Sequence, residues 1–215
     1  MTTPNPGRGL FISLDGPDGG GKTTQAARLV AWLEGQGLDV VTCRDPGGTP
    51  LGDRLRAILL ERSAFEPGML AEMLLYNASR AQLVEDVIRP ALDAGKVVVS
   101  DRFLLANVVY QGYAGGLPVE AIWEVGRIAT GGLMPDLTLV LDLPLELARS
   151  RVGRSRDRIE DRPGEFHARV RAGFLEAAGT YPFPIRVLDA SGDPEAVAEQ
   201  IRVEVAHALE IDPRP

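Results

Sequence analysis

The residues best suited to chemistry stand close together near the start of the chain. Gly16-Pro17-Asp18-Gly19-Gly20-Gly21-Lys22-Thr23-Thr24 satisfies the pattern G-x-x-x-x-G-K-[ST], directly after an apolar run and directly before a helical one. Glycines at these spacings let the backbone fold into a concave nest whose N–H groups point at phosphate oxygens, and the following helix N-terminus adds positive potential. Lys22 is placed to reach the β and γ phosphates of a nucleotide, and the Thr23 hydroxyl to ligate Mg²⁺. Only one other lysine, Lys96, occurs in the chain.

Further polar residues recur where other apolar runs end. Arg44-Asp45-Pro46-Gly47-Gly48-Thr49 forms a turn after a second run, and Ser100-Asp101-Arg102-Phe103 sets an acid and a base after a third. Asp101 could orient a metal's water shell while Arg102 contacts phosphate; taken alone, an ordinary surface ion pair is an equal reading. Tyr76 and Arg80 are four apart and share one helix face, where a ring can pack on a base beside a hydrogen-bonding guanidinium. A core tyrosine next to a snorkelling arginine is the plainer reading of that pair. Asn107, Tyr110 and Gln111 add amide and phenol groups just past Arg102. The stretch from Arg149 to Arg162, dense in arginine and poor in apolar residues, reads as a mobile surface loop.

The elements that must position these groups alternate. Apolar runs at Leu10–Leu14, Asp39–Thr42, Val97–Ser100, Leu137–Leu141 and Ile185–Leu188 lack polar alternation, as expected of parallel strands covered on both faces. Between them lie helical patterns that include Lys22–Gln36, Gly68–Ala94, Val119–Ala129, Leu145–Arg151, Glu165–Ala178 and Pro194–Leu209. That order predicts a doubly wound α/β domain with right-handed crossovers, binding ligands at the carboxyl ends of its strands. A length of 215 residues fits a single domain over 1–215, with a flexible tail at 1–9.

Composition narrows the function. A formal net charge of −7 argues against a general nucleic-acid binder, which needs excess cationic side chains to displace counterions. With Cys43 as its only cysteine and two histidines, the chain can form no internal disulfide and no zinc cluster of the usual ligand count, which fits a reducing cytoplasm. No apolar stretch suggests export or a membrane span. A GTP-operated switch needs a guanine-reading Asn-Lys-x-Asp segment, and neither lysine lies in one. Small-molecule kinase is the better branch, with a nucleotide-dependent switch as the rival of a different class.

Together these segments resemble the thymidylate kinase family. The phosphate loop is similar to that family's G-x-[DE]-G-x-G-K-[ST]-T, Arg44–Thr49 to its R-E-P-G-G-T, Tyr76–Gln82 to its F-x-A-x-R-x-Q, and Asp101-Arg102 with Tyr110-Gln111-Gly112 to its D-R-x…Y-Q-G. Pro135–Thr138, Leu141–Pro144 and Asp157-Arg158-Ile159-Glu160 also look like the family, and the resemblance runs from about Phe11 to Ala206. Asp15 and Asp45 stand where glutamate is usual, and Tyr76 where a base-stacking phenylalanine is.

The resemblance implies a P-loop fold of nucleoside-monophosphate-kinase type with five parallel strands and a short lid at about 150–162. It implies transfer of the ATP γ-phosphoryl group to dTMP with Mg²⁺, giving dTDP and ADP. Lys22 and the loop from Gly16 to Thr24 would hold the donor, and Thr23 with Asp101 the metal. Asp18 would sit between the substrates, and Arg44 and Arg102 would bind the acceptor phosphate. Tyr76 would stack on thymine, Arg80 would bond its carbonyl edge, Asn107 and Gln111 would read the rest, and Tyr110 would crowd the sugar's 2′ position. Because the loop contains no arginine, the lid would supply one in the transition state, with Arg151, Arg154 and Arg156 as candidates. A homodimer formed by helix packing is implied as well. A kinase for another nucleoside monophosphate on the same fold remains the nearer alternative.

Overall fold

A computed structural model describes residues 9–63, 65–151 and 157–213. Five strands, β1 (Phe11–Asp15), β2 (Val40–Arg44), β3 (Val97–Asp101), β4 (Leu137–Asp142) and β5 (Ile185–Asp189), form one parallel sheet in the order β2-β3-β1-β4-β5. The expected fold is observed. The order places β1 at the centre, and the chain reverses direction across it: β3 pairs on one side and β4 on the other. Ligand crevices in such sheets open where that reversal occurs, at the carboxyl ends of the strands.

The helices are α1 (Lys22–Gly35), α2 (Pro50–Leu60), α3 (Met69–Leu83), α4 (Arg89–Asp93), α5 (Leu104–Asn107), α6 (Val119–Thr130), α7 (Leu145–Arg151), α8 (Gly164–Thr180) and α9 (Pro194–Leu209). Side chains alternate across the central strands, so the sheet has two cores. Ile12, Leu14, Val97, Val99 and Leu139 pack against α1 and α9 through Leu29, Leu33, Ile201 and Val205. On the other face Phe11 and Val98 meet Leu83, Ile88, Leu104, Val108 and Ile122, while Val140 meets Val170 and Phe174 of α8.

Two expectations about these elements need correction. Coverage on both faces holds for β1, β3 and β4, but β2 and β5 are edge strands whose side chains are largely half-buried or exposed. The single helix expected over 68–94 runs as α3, a π turn at Val84–Ile88, and α4. Pro90 cannot donate a helical hydrogen bond, and a π turn beside it absorbs the missing link. Two further elements were not anticipated. Helix α2 starts at Pro50, with the Thr49 hydroxyl accepting from the Gly52 N–H; proline at the first turn after a threonine cap is a strong start signal. The other is α5 with the π turn at Val108–Tyr113. It is buried almost throughout, so its sequence lacks the amphipathic period that would announce a helix.

Among the described residues, no helix is long and apolar enough to cross a membrane.

Candidate active site

The loop after β1 and the turn after β3 meet because their strands are neighbours in register, Leu14 beside Asp101. Gly16, Gly19 and Gly21 have φ of 131°, 80° and 81°, a region that glycine enters without steric cost. Close approach excludes side chains as well: a Cβ at Gly16 would lie 2.5 Å from the Leu141 carbonyl oxygen, and one at Gly19 2.6 Å from that of Ala148. Helix α1 then begins without a side-chain cap, so its first N–H groups remain available to an anion.

These elements open onto a cavity of ≈ 1050 Å³ that is lined by the loop from Asp18 to Thr24 and by Arg44, Tyr76, Arg80, Asp101, Arg102, Asn107, Tyr110, Gln111 and Arg151. Every expected site residue that the structure describes borders it, apart from Gly16 and Pro17, whose carbonyl oxygens accept hydrogen bonds from two of its lining side chains, Arg102 and Lys22. Arg154 and Arg156 lie outside the described residues.

At the phosphate-loop end, Lys22 is buried and its Nζ donates to the Pro17 carbonyl at 2.7 Å. Burial, then the neighbouring Arg102 charge, push its ammonium down to about 8 against the pull of Asp18, Asp101 and Asp15. The Thr23 hydroxyl donates to Asp101 Oδ2 at 2.6 Å. A hydroxyl and a carboxylate side by side beneath a phosphate loop are the hard oxygen donors that Mg²⁺ takes, directly or through its waters, with substrate phosphates completing its shell. No group of three or more acidic, histidine or cysteine side chains suited to a metal occurs among the described residues. Asp15, fully buried behind the loop, accepts from the Ser13 hydroxyl at 2.6 Å, and burial raises its carboxyl to about 6.

Between the two ends sits a tight cluster. Arg102 donates to Asp18 and, at 2.9 Å, to the Gly16 carbonyl. The Tyr110 hydroxyl donates to Asp18 Oδ2 at 2.8 Å, and the Arg102 guanidinium lies 5.0 Å from the Tyr110 ring centre. Burial works to raise the Asp18 carboxyl, but Arg102, Lys22 and the Tyr110 hydroxyl outweigh it and hold it below the usual range. Arg102 itself adopts φ 71°, one of two positive values among the described non-glycine residues. Such a backbone conformation at a residue that lines a cavity is a sign of a functional constraint.

At the far end, Tyr76 and Arg80 project from the same face of α3 into the cavity wall. Burial, then the Glu72 charge, raise the Tyr76 phenol well above its ordinary value, so it stays neutral. Arg80 is 1% exposed and donates to Asp45 at 2.5 Å, to Asn77 at 2.8 Å and to Asn107 at 3.1 Å. Burial outweighs Arg80 at Asp45 and keeps that carboxyl above its usual range. Arg44 is held differently, half exposed and bonded to Asp53 at 3.1 Å.

Of the arginine-rich segment, Arg149–Arg151 are exposed as expected, whereas Arg158 departs from the expected solvated loop. Arg151 donates to the carbonyls of Ala190 and Ser191 after β5, at 2.9 and 3.3 Å. Arg158 is buried, bonded to the Leu59 carbonyl and to Glu72, which Arg162 also reaches at 2.8 Å. Glu72, an interior carboxylate on an otherwise apolar turn of α3, therefore tethers Asp157–Arg162 to the far end of the cavity. Sequence reasoning passed over both Glu72 and Asp53. A lone glutamate within Met69–Leu75 was the available signal, since an unpaired carboxylate rarely sits in an apolar stretch.

Comparison with known proteins agrees with the geometry. A family model described as Thymidylate kinase matches residues 14–201. The chain is 44% identical over 201 residues to the "Thymidylate kinase" of Symbiobacterium thermophilum, covering 93% of this chain and 94% of that protein. It is 45% identical to the protein of the same name from Deinococcus radiodurans, covering 93% and 97%, and 47% identical to that of Synechococcus sp. strain JA-3-3Ab, covering 96% and 100%.

Proposed function

The chain belongs to the thymidylate kinase family, and from that premise we infer that it is an ATP-dependent nucleoside monophosphate kinase that transfers the γ-phosphoryl group of ATP to dTMP, giving dTDP and ADP. The observation that carries this reading is one cavity with a phosphate loop at one end and, across the Asp18–Arg102–Tyr110 cluster, an aromatic ring and buried amides at the other. A switch has no use for the second end.

In-line transfer demands little covalent chemistry, so the protein must bring two polyanions together and neutralise the charge that spreads over the moving group. We assign the loop N–H groups from Gly16 to Thr24 and the Lys22 ammonium to the donor phosphates. Mg²⁺, held by Thr23 and Asp101, would supply charge neutralisation on the transferring phosphoryl oxygens. Arg102 would leave Asp18 in part to bind the acceptor phosphate, and Arg44 would exchange Asp53 for the same anion. Asp18, kept ionised by its cationic neighbours, would then orient the acceptor's sugar. Tyr110, with its ring beneath Arg102, would crowd the 2′ position. Tyr76 would stack on the base, Arg80 would donate to a carbonyl, and Asn107 and Gln111 would read the remaining edge.

The loop carries no arginine, so the transition-state cation is assigned to the lid: Arg151, Arg154 or Arg156. Arg151 begins from a resting position on the carbonyls after β5. We further propose a homodimer. Helix α3 packs against both α2 and α6, and the three expose Leu51, Ile58, Leu70, Leu74 and Ile128, the last 82% exposed. A cytoplasmic location and small-molecule partners only, ATP and dTMP, complete the proposal; the net charge of −7 speaks against nucleic acid. Light scattering tests the dimer. ADP release measured with dTMP, dUMP, UMP, CMP, AMP and GMP tests the activity: dTMP should be preferred strongly, and preference for another acceptor would overturn the substrate.

A further inference from the structure

The buried polar side chains at the acceptor end form one continuous line, and its two ends are chemically unlike. Arg80 begins it as a pure donor, giving Nη1 hydrogens to Asn77 Oδ1 at 2.8 Å and Asn107 Oδ1 at 3.1 Å. The Asn107 oxygen is thereby taken, also by Asn77 Nδ2 at 2.8 Å, and Asn107 turns its Nδ2 to Gln111 Oε1 at 2.7 Å. Gln111 in turn points its Nε2 at Glu72 Oε1, 2.8 Å away. Glu72 ends the line as an acceptor, and its other oxygen takes hydrogens from Arg158 and Arg162.

An amide is nearly symmetric in shape, so its oxygen and nitrogen ends are fixed only by what their neighbours can donate or accept. Here a donor-only guanidinium at one end and an acceptor-only carboxylate at the other leave a single polarity for both amides. No solvent softens that demand: Glu72, Gln111 and Asn107 are 0%, 1% and 2% exposed. Asn107 and Gln111 also line the cavity. Their fixed polarity decides which hydrogen-bond pattern the pocket offers to a base.

We propose that Glu72 is a positioning residue for base selection, locking the donor and acceptor orientation of Gln111 and Asn107 through the Gln111 Nε2 contact. The proposal deepens the reading of this cavity as a dTMP site and rests on it. Thymine presents a carbonyl acceptor and an N3–H donor where cytosine presents an amino donor and a bare N3 acceptor, so the two bases make opposite demands of an amide. A locked amide suits one of them. An amide free to turn suits both.

Glu72→Gln is the informative change because it keeps the shape of the side chain and every heavy-atom position. Arg158 and Arg162 are donors only, so the substituted amide must give them its oxygen and offer its NH₂ to Gln111. That meets the Gln111 NH₂ donor to donor, and turning Gln111 over moves the same clash to the Asn107 Nδ2 that Arg80 and Asn77 hold in place, so the single polarity of the line is lost at one contact or the other. Glu72→Asp keeps an acceptor-only group and should keep the lock.

The test measures kcat/KM for dTMP and for dCMP on the full chain. In E72Q the ratio of the two should fall about tenfold or more, chiefly through a higher KM for dTMP, with the KM for ATP changed less than about twofold; E72D should retain most of the wild-type ratio. A folded E72Q with an undiminished ratio would overturn the proposal and leave Glu72 as a tether for the segment 157–162 only. If E72Q fails to fold, E72Q/Q111E restores donor to acceptor pairing at this contact and should fold, with a cooperative thermal melt; a double variant that fails to fold as well also overturns it. Failure of the kinase reading is distinct, because the wild type itself would then release no dTMP-dependent ADP.

Discussion

Removing the Arg80 guanidinium should unmask the cost of the carboxylate it neutralises, and the size of that cost depends on pH. Arg80 and Asp45 are 1% and 0% exposed at the side chain and 2.5 Å apart. In Arg80→Met the apolar stem is largely replaced, but Asp45 Oδ2 loses the guanidinium that bonds it, and its Oδ1 already lacks a partner. Breaking a buried pair in this way costs about 3–5 kcal/mol, and the Asn77 oxygen left without its donor adds about 1 kcal/mol or more. For a chain of this size each kcal/mol lowers Tm by about 2–4 °C, so a fall of roughly 10–20 °C is expected near pH 8. Burial raises the Asp45 carboxyl in the folded protein, and Arg80 is the main opposing influence; without Arg80 it rises further. A carboxyl raised on folding binds its proton more readily in the folded than the unfolded chain, so stability declines as pH rises through the interval between the two values. The R80M deficit should therefore shrink between pH 8 and pH 5. Asp45→Asn added to R80M removes the charge and should recover much of the loss at pH 8. Thermal melts followed by circular dichroism at both pH values decide it. A loss below about 1 kcal/mol, a deficit equal at both pH values, or a double variant less stable than R80M would refute the reasoning.

Lys22 loses charge as pH rises through about 8, so kcat/KM for ATP, which reports the free enzyme, should fall above that pH, and whatever activity Lys22→Arg retains should lack that limb. Asp101→Asn leaves the Thr23 hydroxyl a weaker partner and should raise the Mg²⁺ concentration for half-maximal ADP release about 10-fold or more. Gly19→Ala puts a side chain at φ 80° and 2.6 Å from the Ala148 carbonyl; it should lower Tm by roughly 2–8 °C and reduce the thermal shift produced by ATP.

Much of this architecture could be read from residue order because the central strands are continuously apolar and each is followed by turn chemistry. Phe11–Asp15 and Val97–Asp101 announced both their burial and the polar residues at their ends. The edge strands were found with the same signal but misjudged in coverage, since Val40 and Val41 look alike whether a helix lies on both faces or on one. Segment 104–113 was missed for the opposite reason: burial on every side erases the period that marks a helix. At the site, motif spacing identified the residues that border the cavity, but pairings between distant segments have no local signature. Glu72 with Arg158 joins positions 86 residues apart, and only the folded chain turns an arginine of an expected surface loop into a buried anchor beside the amides.

The most direct measurement follows the phosphorus itself: ATP labelled at the γ position, dTMP and Mg²⁺ are incubated with the protein and the products separated. Label should appear in the β phosphate of dTDP, equal in amount to the ADP formed and dependent on dTMP. ADP and free labelled phosphate without labelled dTDP, or no turnover at all, would contradict the assignment of this cavity to two nucleotides.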